Sequence, residues 1–360
     1  MPELFGRRWS RDELLDYVGD MSQLAGARHS RVLDGPEAGA DAIELWNGTG
    51  LALTLLPGRC LDVAAATYRG QSLCMRSGTG DLGPAYYEPE GAGWLRGFFG
   101  GLVVTCGLTF VGHAETDAEE EKVELGLHGR ASFLPARQVA VESRWEGEDY
   151  VVEVRGKMRE AVVFGTNLEM HRRIRLKLGE RRFTIHDRIE NLSRTARSPL
   201  MLVYHCNPGF PVLMEGGRVI LASARTVDSA TGQPVDPKVA LPVRAPAAEP
   251  KDAVYIHDLR PDTAGMVQVG LVNEHLGSGF GLYWRYRKTE LPILNQWQHF
   301  TKGTYVTGIE PGNCTVLGRK ANREGGTLQH LAPGESREFT LEIGVLDGAG
   351  EIRAFESALA

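Results

Sequence analysis

Two histidines and one glutamate stand where an apolar, strand-like pattern gives way to a turn. His128 lies in a Leu-His-Gly segment, His205 follows the apolar run Leu200–Tyr204, and Glu310 precedes a Pro-Gly pair. Imidazole and carboxylate groups are well suited to proton transfer near neutral pH. These three residues are therefore the candidate catalytic residues for general acid–base chemistry.

Other interpretations of the same residues are also open. Glu310 could be an exposed turn carboxylate, and His205 could be a hydrogen-bonded histidine of the core. Two histidines and a glutamate that face one pocket also form a reasonable ligand set for a divalent metal such as Mn²⁺ or Zn²⁺. The metal interpretation would use His128, His205 and Glu310 as ligands.

The elements that must position these residues are strands. Alternation of apolar and polar residues indicates strands at Ile43–Trp46, Leu51–Leu55, Val139–Trp145, Tyr150–Val154, His171–Leu178, Arg182–Ile189, Leu200–Tyr204, Met266–Val272, Phe280–Tyr286 and Glu338–Val345. The runs between His171 and Tyr204 predict a three-stranded meander. With 44 glycines and 18 prolines to supply turns, the chain is predicted to be all-β.

One helix is expected near the N-terminus. Ser10 and Glu13 form a capping-box pattern ahead of the apolar residues Leu14, Leu15 and Val18. We predict an N-terminal helical appendage over residues 1–29 and a single β domain over residues 30–360. Within this domain the acidic run 116–122 is predicted to be a solvated loop.

Composition excludes several classes of protein. A net charge of −6 argues against a nucleic-acid-binding surface, and no run of 18 apolar residues is present to span a membrane. Phosphate-loop, dinucleotide-binding, HExxH and GxSxG motifs are absent. The N-terminus lacks a secretory pattern, and the five cysteines show no CxxC spacing, so we expect a cytoplasmic protein with reduced thiols.

The order of the candidate segments resembles the aldose 1-epimerase (galactose mutarotase-like) superfamily. Its members carry a histidine in a Leu-His-Gly motif, then a histidine at a strand end with an asparagine nearby, then a glutamate near the C-terminus. His128, His205 with Asn207, and Glu310 follow that order. The resemblance covers about residues 30–345 and extends to a bacterial branch known as a domain of unknown function. It implies a β supersandwich that binds a sugar on its concave sheet.

The resemblance implies mutarotation, the interconversion of sugar anomers, without a cofactor. This reaction removes a proton from the C1 hydroxyl and protonates the ring oxygen. Glu310 is the expected base and His205 the expected acid, while His128 would hydrogen-bond a sugar oxygen and stabilise developing charge. Asn207 would orient His205 or the ligand, and Trp297 would either stack on the sugar or pack in the core.

Four charged residues complete the predicted substrate-binding set. The segment that supplies a sugar-binding arginine in ordinary mutarotases is replaced here by Trp-Leu-Arg-Gly-Phe, in which Arg96 is the substitute. Arg130 either binds an anionic group, which is the favoured interpretation, or lies outside on a strand edge. Arg59 and Asp62 either contact the ligand or pair with one another. This replacement widens the candidate substrates from plain hexoses to sugars with a carboxylate, sulfonate or keto group.

Two other functions are compatible with this scaffold. One is a metal-assisted isomerase or epimerase of a keto sugar, in which the metal polarises a carbonyl. The other is a carbohydrate-binding module without catalysis, since one fold supports many functions. For the favoured epimerase we predict that His128, His205 and Glu310 converge on one open, polar cleft, with Arg96 and Trp297 on its walls.

Overall fold

The computed structural model describes residues 1–119, 124–249 and 252–359. The strands in these ranges are β1 (Glu3–Leu4), β2 (Arg7–Arg8), β3 (Ala25–Arg31), β4 (Asp41–Asn47), β5 (Leu51–Leu56), β6 (Asp62–Tyr68), β7 (Gln71–Ser72), β8 (Val104–Leu108), β9 (Glu115–Thr116), β10 (Glu124–Leu125), β11 (Arg137–Glu146), β12 (Asp149–Ala161), β13 (Asn167–Lys177), β14 (Arg182–Asn191), β15 (Ser198–His205), β16 (Arg218–Leu221), β17 (Ser223–Asp228), β18 (Ala253–Leu259), β19 (Met266–Asn273), β20 (Phe280–Arg287), β21 (Ile293–Thr301), β22 (Thr304–Gly312), β23 (Gln329–Leu331) and β24 (Ser336–Asp347).

Helical segments in the same ranges are short. The α-helices are α1 (Arg11–Tyr17), α2 (Pro237–Ala240), α3 (Arg319–Glu324) and α4 (Ala349–Ser357), and the 3₁₀ turns are Met21–Gln23, Pro84–Tyr86, Gly93–Gly97 and Ala131–Phe133. None of the helices in the described ranges has the length and apolar character needed to cross a bilayer. Of the acidic run predicted to be a loop, residues 120–122 lie outside the described residues.

Most strands belong to three antiparallel sheets. The large sheet has eight strands in the order β11-β12-β13-β14-β24-β20-β19-β16. The cleft sheet has seven, in the order β17-β18-β21-β22-β15-β23, with β8 paired to β15. The small sheet has five strands, β3 to β7 in sequence order. The predicted all-β fold is thereby confirmed.

The predicted three-stranded meander is wrong in its third strand. β13 and β14 pair as expected, but the other neighbour of β14 is β24, and β15 lies in the cleft sheet. Every residue of β15 is buried, whereas buried and half-buried residues alternate along β14. A strand that is buried on both faces must have packed residues on each side of its sheet, and β15 has an apolar core on each face of the cleft sheet.

Alternation along β15 divides its side chains between two apolar cores. Leu202 and Tyr204 lie in the main core, which contains residues of all three sheets. Met201 and Val203 lie in a second core on the opposite face of the cleft sheet. Because successive side chains of a strand point to opposite faces, His205 at the strand end points to the side of the second core.

A buried ionic network joins the three sheets. Arg172 of the large sheet donates two hydrogen bonds to Asp187 (2.9 and 2.7 Å) and one to Asp62 of the small sheet (2.9 Å). The hydroxyl of Tyr204, from the cleft sheet, donates to Asp187 at 2.7 Å. Arg172, Asp62 and Asp187 have no exposed side-chain surface, so the network is sealed from water.

The N-terminal segment contains strands as well as the predicted helix. The capping box is confirmed: the Ser10 hydroxyl accepts from the Glu13 backbone, and the Glu13 carboxylate accepts from the Ser10 backbone. Strand β3 runs from Ala25 to Arg31 and pairs with β4, so the predicted division after residue 29 falls inside a strand of the small sheet.

We predict that Arg172→Met destabilises the fold by about 3–5 kcal/mol, because it leaves two buried carboxylates without their cation. Urea unfolding measures this change, with Arg173→Met on the exposed side of the same strand as the matched control. Equal unfolding free energies for the two variants would show that the network does not hold the sheets together.

Candidate active site

The orientation of His205 is set by Asn207. The amide nitrogen of Asn207 donates to the carbonyl oxygens of His205 (2.9 Å) and Gly100 (3.3 Å). The amide oxygen therefore faces Nδ1 of His205, at 2.6 Å. Since that oxygen only accepts, Nδ1 carries the hydrogen of the neutral imidazole and Nε2 keeps a lone pair.

Glu310 lies against the bare nitrogen of His205. Its Oε1 is 3.3 Å from Nε2 of His205, and the two residues are 2% and 5% exposed. A Cβ on Gly308 would stand 2.0 Å from that same Oε1, so a side chain at this position would displace the carboxyl group. Gly308 also pairs with Trp297 on β21, which places the indole beside the carboxyl group.

Burial sets the protonation of this pair. Desolvation raises the pKa of Glu310 to about 8 and lowers the pKa of His205 to about 4. At neutral pH the pair therefore consists of a carboxylic acid and a neutral imidazole. One group has a proton to give and the other has a lone pair to receive one, which is the requirement of coupled acid–base catalysis.

Hydrogen bonds of its own backbone fix the position of His128. Its φ of 56° is in the left-handed region, its N–H donates to Gly112 (2.9 Å), and its carbonyl accepts from Gly107 (3.1 Å). The Leu-His-Gly motif needs its glycine because a Cβ on Gly129 would lie 2.4 Å from the carbonyl oxygen of Phe110. These contacts place the imidazole 5.7 Å from that of His205, ring centre to ring centre.

Two buried polar atoms of the site make no hydrogen bond to the described residues: Nδ1 of His128 and Oε1 of Glu310. The second atom is 3.3 Å from Nε2 of His205, but this contact is not aligned as a hydrogen bond. Burial lowers the pKa of His128 well below its ordinary value, so this imidazole is neutral at physiological pH. Buried polar groups nearly always have partners. Both atoms are therefore placed to hydrogen-bond a bound ligand.

These residues line one cleft of about 430 Å³. The predicted polar cleft is wrong in its character, because the walls are mainly apolar: Trp94, Leu95, Phe98, Leu127, Val254, Trp297 and Val316. Trp94 and Phe98 stack with ring centres 4.8 Å apart, and Phe98 is 5.5 Å from His205. The walls are apolar because the cleft opens at the edge of the second core.

Two predicted arginines lie elsewhere. The Arg96 side chain is 75% exposed and forms an ion pair with Glu88 at 3.1 Å, so it is not on the cleft wall as predicted. Arg130 is exposed, and its guanidinium lies 5.6 Å from the ring centre of Tyr87. In the Trp-Leu-Arg-Gly-Phe segment the aromatic residues face the cleft, and the long cationic side chain is hydrated outside it.

Arg59 has a supporting position. It is 2% exposed and donates to the carbonyl oxygens of Ser132 (2.6 Å), Leu82 (2.9 Å) and Gly97 (2.9 Å). It thereby ties the segment that carries Trp94 to the turn that follows His128. Like Arg59, Asp62 is absent from the cleft lining; it accepts from Thr105 and Arg172 instead.

Sequence reasoning missed the aromatic pair Trp94 and Phe98 and two polar residues, His113 and Asp252, at the exposed rim of the cleft. Asp252 hydrogen-bonds His299. The only sequence signal for Trp94 and Phe98 was that each lies two residues from Arg96. Within the described residues, no group of three or more His, Cys, Asp or Glu is arranged to hold a metal ion.

This chain has the fold of galactose mutarotase-like proteins. A Klebsiella pneumoniae structure provisionally assigned as an aldose 1-epimerase superposes with a TM-score of 0.84 at 23% identity, covering 94% of this chain and 91% of the other. A galactose mutarotase-like protein of Clostridium acetobutylicum gives 0.61 at 12% identity (90% and 99%). A galactose 1-epimerase of Lactobacillus acidophilus gives 0.56 at 13% identity (90% and 99%).

Within that fold, the chain belongs to the family described as domain of unknown function DUF4432, whose model matches residues 37–345. A search among curated proteins found no match. The identity to each of these structures is below 25%, so the likeness concerns the fold.

We predict that Glu310 makes stability depend on pH. Its pKa is 4.5 when unfolded and about 8 when folded, so the unfolded state loses the proton first as the pH rises. Glu310→Gln keeps the shape of the protonated group but does not titrate. Relative to this variant, the free energy of unfolding of the wild type should fall by on the order of 3–5 kcal/mol between pH 4.5 and 8.5. Urea unfolding measures this, with exposed Glu44→Gln as the control; a constant difference would contradict the buried acid.

We also predict the Nδ1–H tautomer for His205. Nitrogen-15 NMR near pH 7 should show a protonated Nδ1 and a bare Nε2, assigned by loss of the signals in His205→Gln. Asn207→Leu removes the acceptor and should weaken this preference. A protonated Nε2 in the wild type would contradict the assigned geometry.

Proposed function

We propose that this protein is a carbohydrate epimerase that interconverts the anomers of a sugar. The observation that carries the proposal is the contact between Glu310 and His205 in the cleft, where burial makes one a proton donor and the other an acceptor at neutral pH. Trp297 beside them offers a flat apolar surface for a sugar ring. Mutarotase-like relatives of the fold support the substrate class.

The chemistry needs only these groups. The reaction begins when the proton of the pair moves from Glu310 to Nε2 of His205. Because the pKa of Glu310 is about 8 and that of His205 about 4, this transfer is uphill, and the carboxylate and imidazolium form only transiently. Glu310 then removes the proton of the C1 hydroxyl while His205 protonates the ring oxygen, and the C1–O bond of the ring breaks to give an open-chain aldehyde. Rotation about C1–C2 and reversal of the same transfers close the ring as the other anomer. No proton is gained or lost overall.

His128 stabilises the oxygen that gains charge. Its imidazole is neutral and its Nδ1 has no hydrogen-bond partner in the part of the chain that the structure describes, so it is available to hydrogen-bond a sugar oxygen. Asn207 acts through His205 by fixing the tautomer, and is a positioning residue. No cofactor is part of this proposal.

We propose a cytoplasmic setting, with a small sugar as the partner and no role for nucleic acid or membrane. All five cysteines are buried and unpaired, which is typical of a reducing compartment.

We predict that Glu310→Gln lowers the catalysed exchange of anomers by 10²–10⁴-fold, because it removes the base while keeping the shape. Saturation-transfer NMR between the α and β C1 protons measures the rate over a panel of aldoses. Arg96→Gln, which changes a residue outside the cleft, should exchange at the wild-type rate.

Each other outcome has a definite meaning. Undiminished exchange in Glu310→Gln would remove Glu310 as the base. A wild-type protein that binds sugars without accelerating exchange would be a carbohydrate-binding module. Activity that disappears with EDTA and returns with Mn²⁺ or Zn²⁺ would favour the metal-assisted reaction.

A further inference from the structure

The cleft offers few hydrogen-bonding side chains for a sugar. Among the described residues that line it, the polar side chains are those of His113, His128, His205, Asp252 and Glu310, and the indoles of Trp94 and Trp297 each add one N–H donor. The N–H of Trp94 already donates to the Ser132 hydroxyl at 3.1 Å. Glu310, His128 and His205 face the proposed reacting centre. Asp252 already hydrogen-bonds His299. A hexose has hydroxyls on most of its carbons, so part of it must lie against walls that give its hydroxyls no side-chain partner.

Those walls are continuous apolar surfaces. On one side Trp94 and Phe98 stack with an angle of 23° between their planes. On the other, Val254 of β18 pairs directly with Trp297 of β21. No lysine or arginine of the described residues lines the cleft.

From this lining we infer that the site selects 6-deoxyhexoses, neutral sugars in which a methyl group replaces the exocyclic hydroxymethyl group. The inference rests on the proposed function and names its substrate class. A hydroxyl pressed against aromatic and aliphatic carbon loses its hydrogen bonds to water without replacement, whereas a methyl group gains from burial there. A carboxylate at the same carbon is desolvated at still greater cost.

Matched sugars test the inference. D-Quinovose and D-glucose, L-fucose and L-galactose, and L-rhamnose and L-mannose each differ by one oxygen atom. Isothermal titration calorimetry of the wild-type protein should show that, in the pair whose stereochemistry the site accepts, the deoxy sugar binds at least about tenfold more tightly than its hydroxylated counterpart. D-Glucuronate should bind more weakly than D-glucose.

A conservative change of the wall supplies the second test. Val254→Thr adds a hydroxyl to the cleft wall at nearly constant side-chain volume. Because this hydroxyl can hydrogen-bond the sugar, the difference in affinity between the deoxy sugar and its hydroxylated counterpart should become smaller. Val162→Thr, the same change at a residue that is 62% exposed, should leave it unaltered. Circular dichroism confirms that both variants are folded.

Binding and exchange separate the two proposals. Equal or tighter binding of the hydroxylated sugars, tight binding of glucuronate, or no binding by any pair would overturn the inferred selectivity. A deoxy preference in binding without accelerated exchange of anomers would support the selectivity and contradict the epimerase.

Discussion

A buried guanidinium must have both its charge and its hydrogen-bond donors compensated, and Arg172 meets this need through two carboxylates and the carbonyl oxygen of Cys60. Its partners Asp187 and Asp62 come from the large and small sheets, and Tyr204 of the cleft sheet donates to Asp187. This requirement fixes the register of β15. A slip by one residue would bring His205 into the main core and turn Tyr204 toward the cleft, leaving Asp187 one donor short.

The reactivity of the pair follows from the same placement. With Tyr204 facing the ionic network, His205 faces the second core, whose apolar residues exclude water. The exclusion of water holds the proton on Glu310 and keeps the imidazole neutral. Gly308 contributes by lacking a side chain, since any Cβ there would displace the carboxyl group from Nε2. The protonation states on which the proposed proton transfer depends are thus set by residues outside the reacting pair.

Local sequence patterns were enough to predict most strands and the capping box at Ser10. Together with the family resemblance they also singled out His128, His205 and Glu310, which the structure brings to one cleft. They were not enough for the arginines, because Arg59 and Arg96 differ in burial for tertiary reasons that their neighbours in sequence do not reveal. The prediction that β14 pairs with β15 was wrong for the same reason. The alternation of β14 predicts its exposure but not its partner, and β24 is about 150 residues away in sequence.

The proposed selectivity and the proposed catalysis are coupled through the apolar walls of the cleft. A cation in the cleft would bind a sugar acid, yet it would also favour the charged carboxylate of Glu310 and lower the pKa of that group. It would raise the cost of protonating His205 as well, because like charges repel. A site that depends on a shared proton between a buried acid and a buried imidazole is therefore better served by Trp94 and Phe98 than by an arginine. The position of Arg96, turned outward to Glu88, is consistent with that constraint.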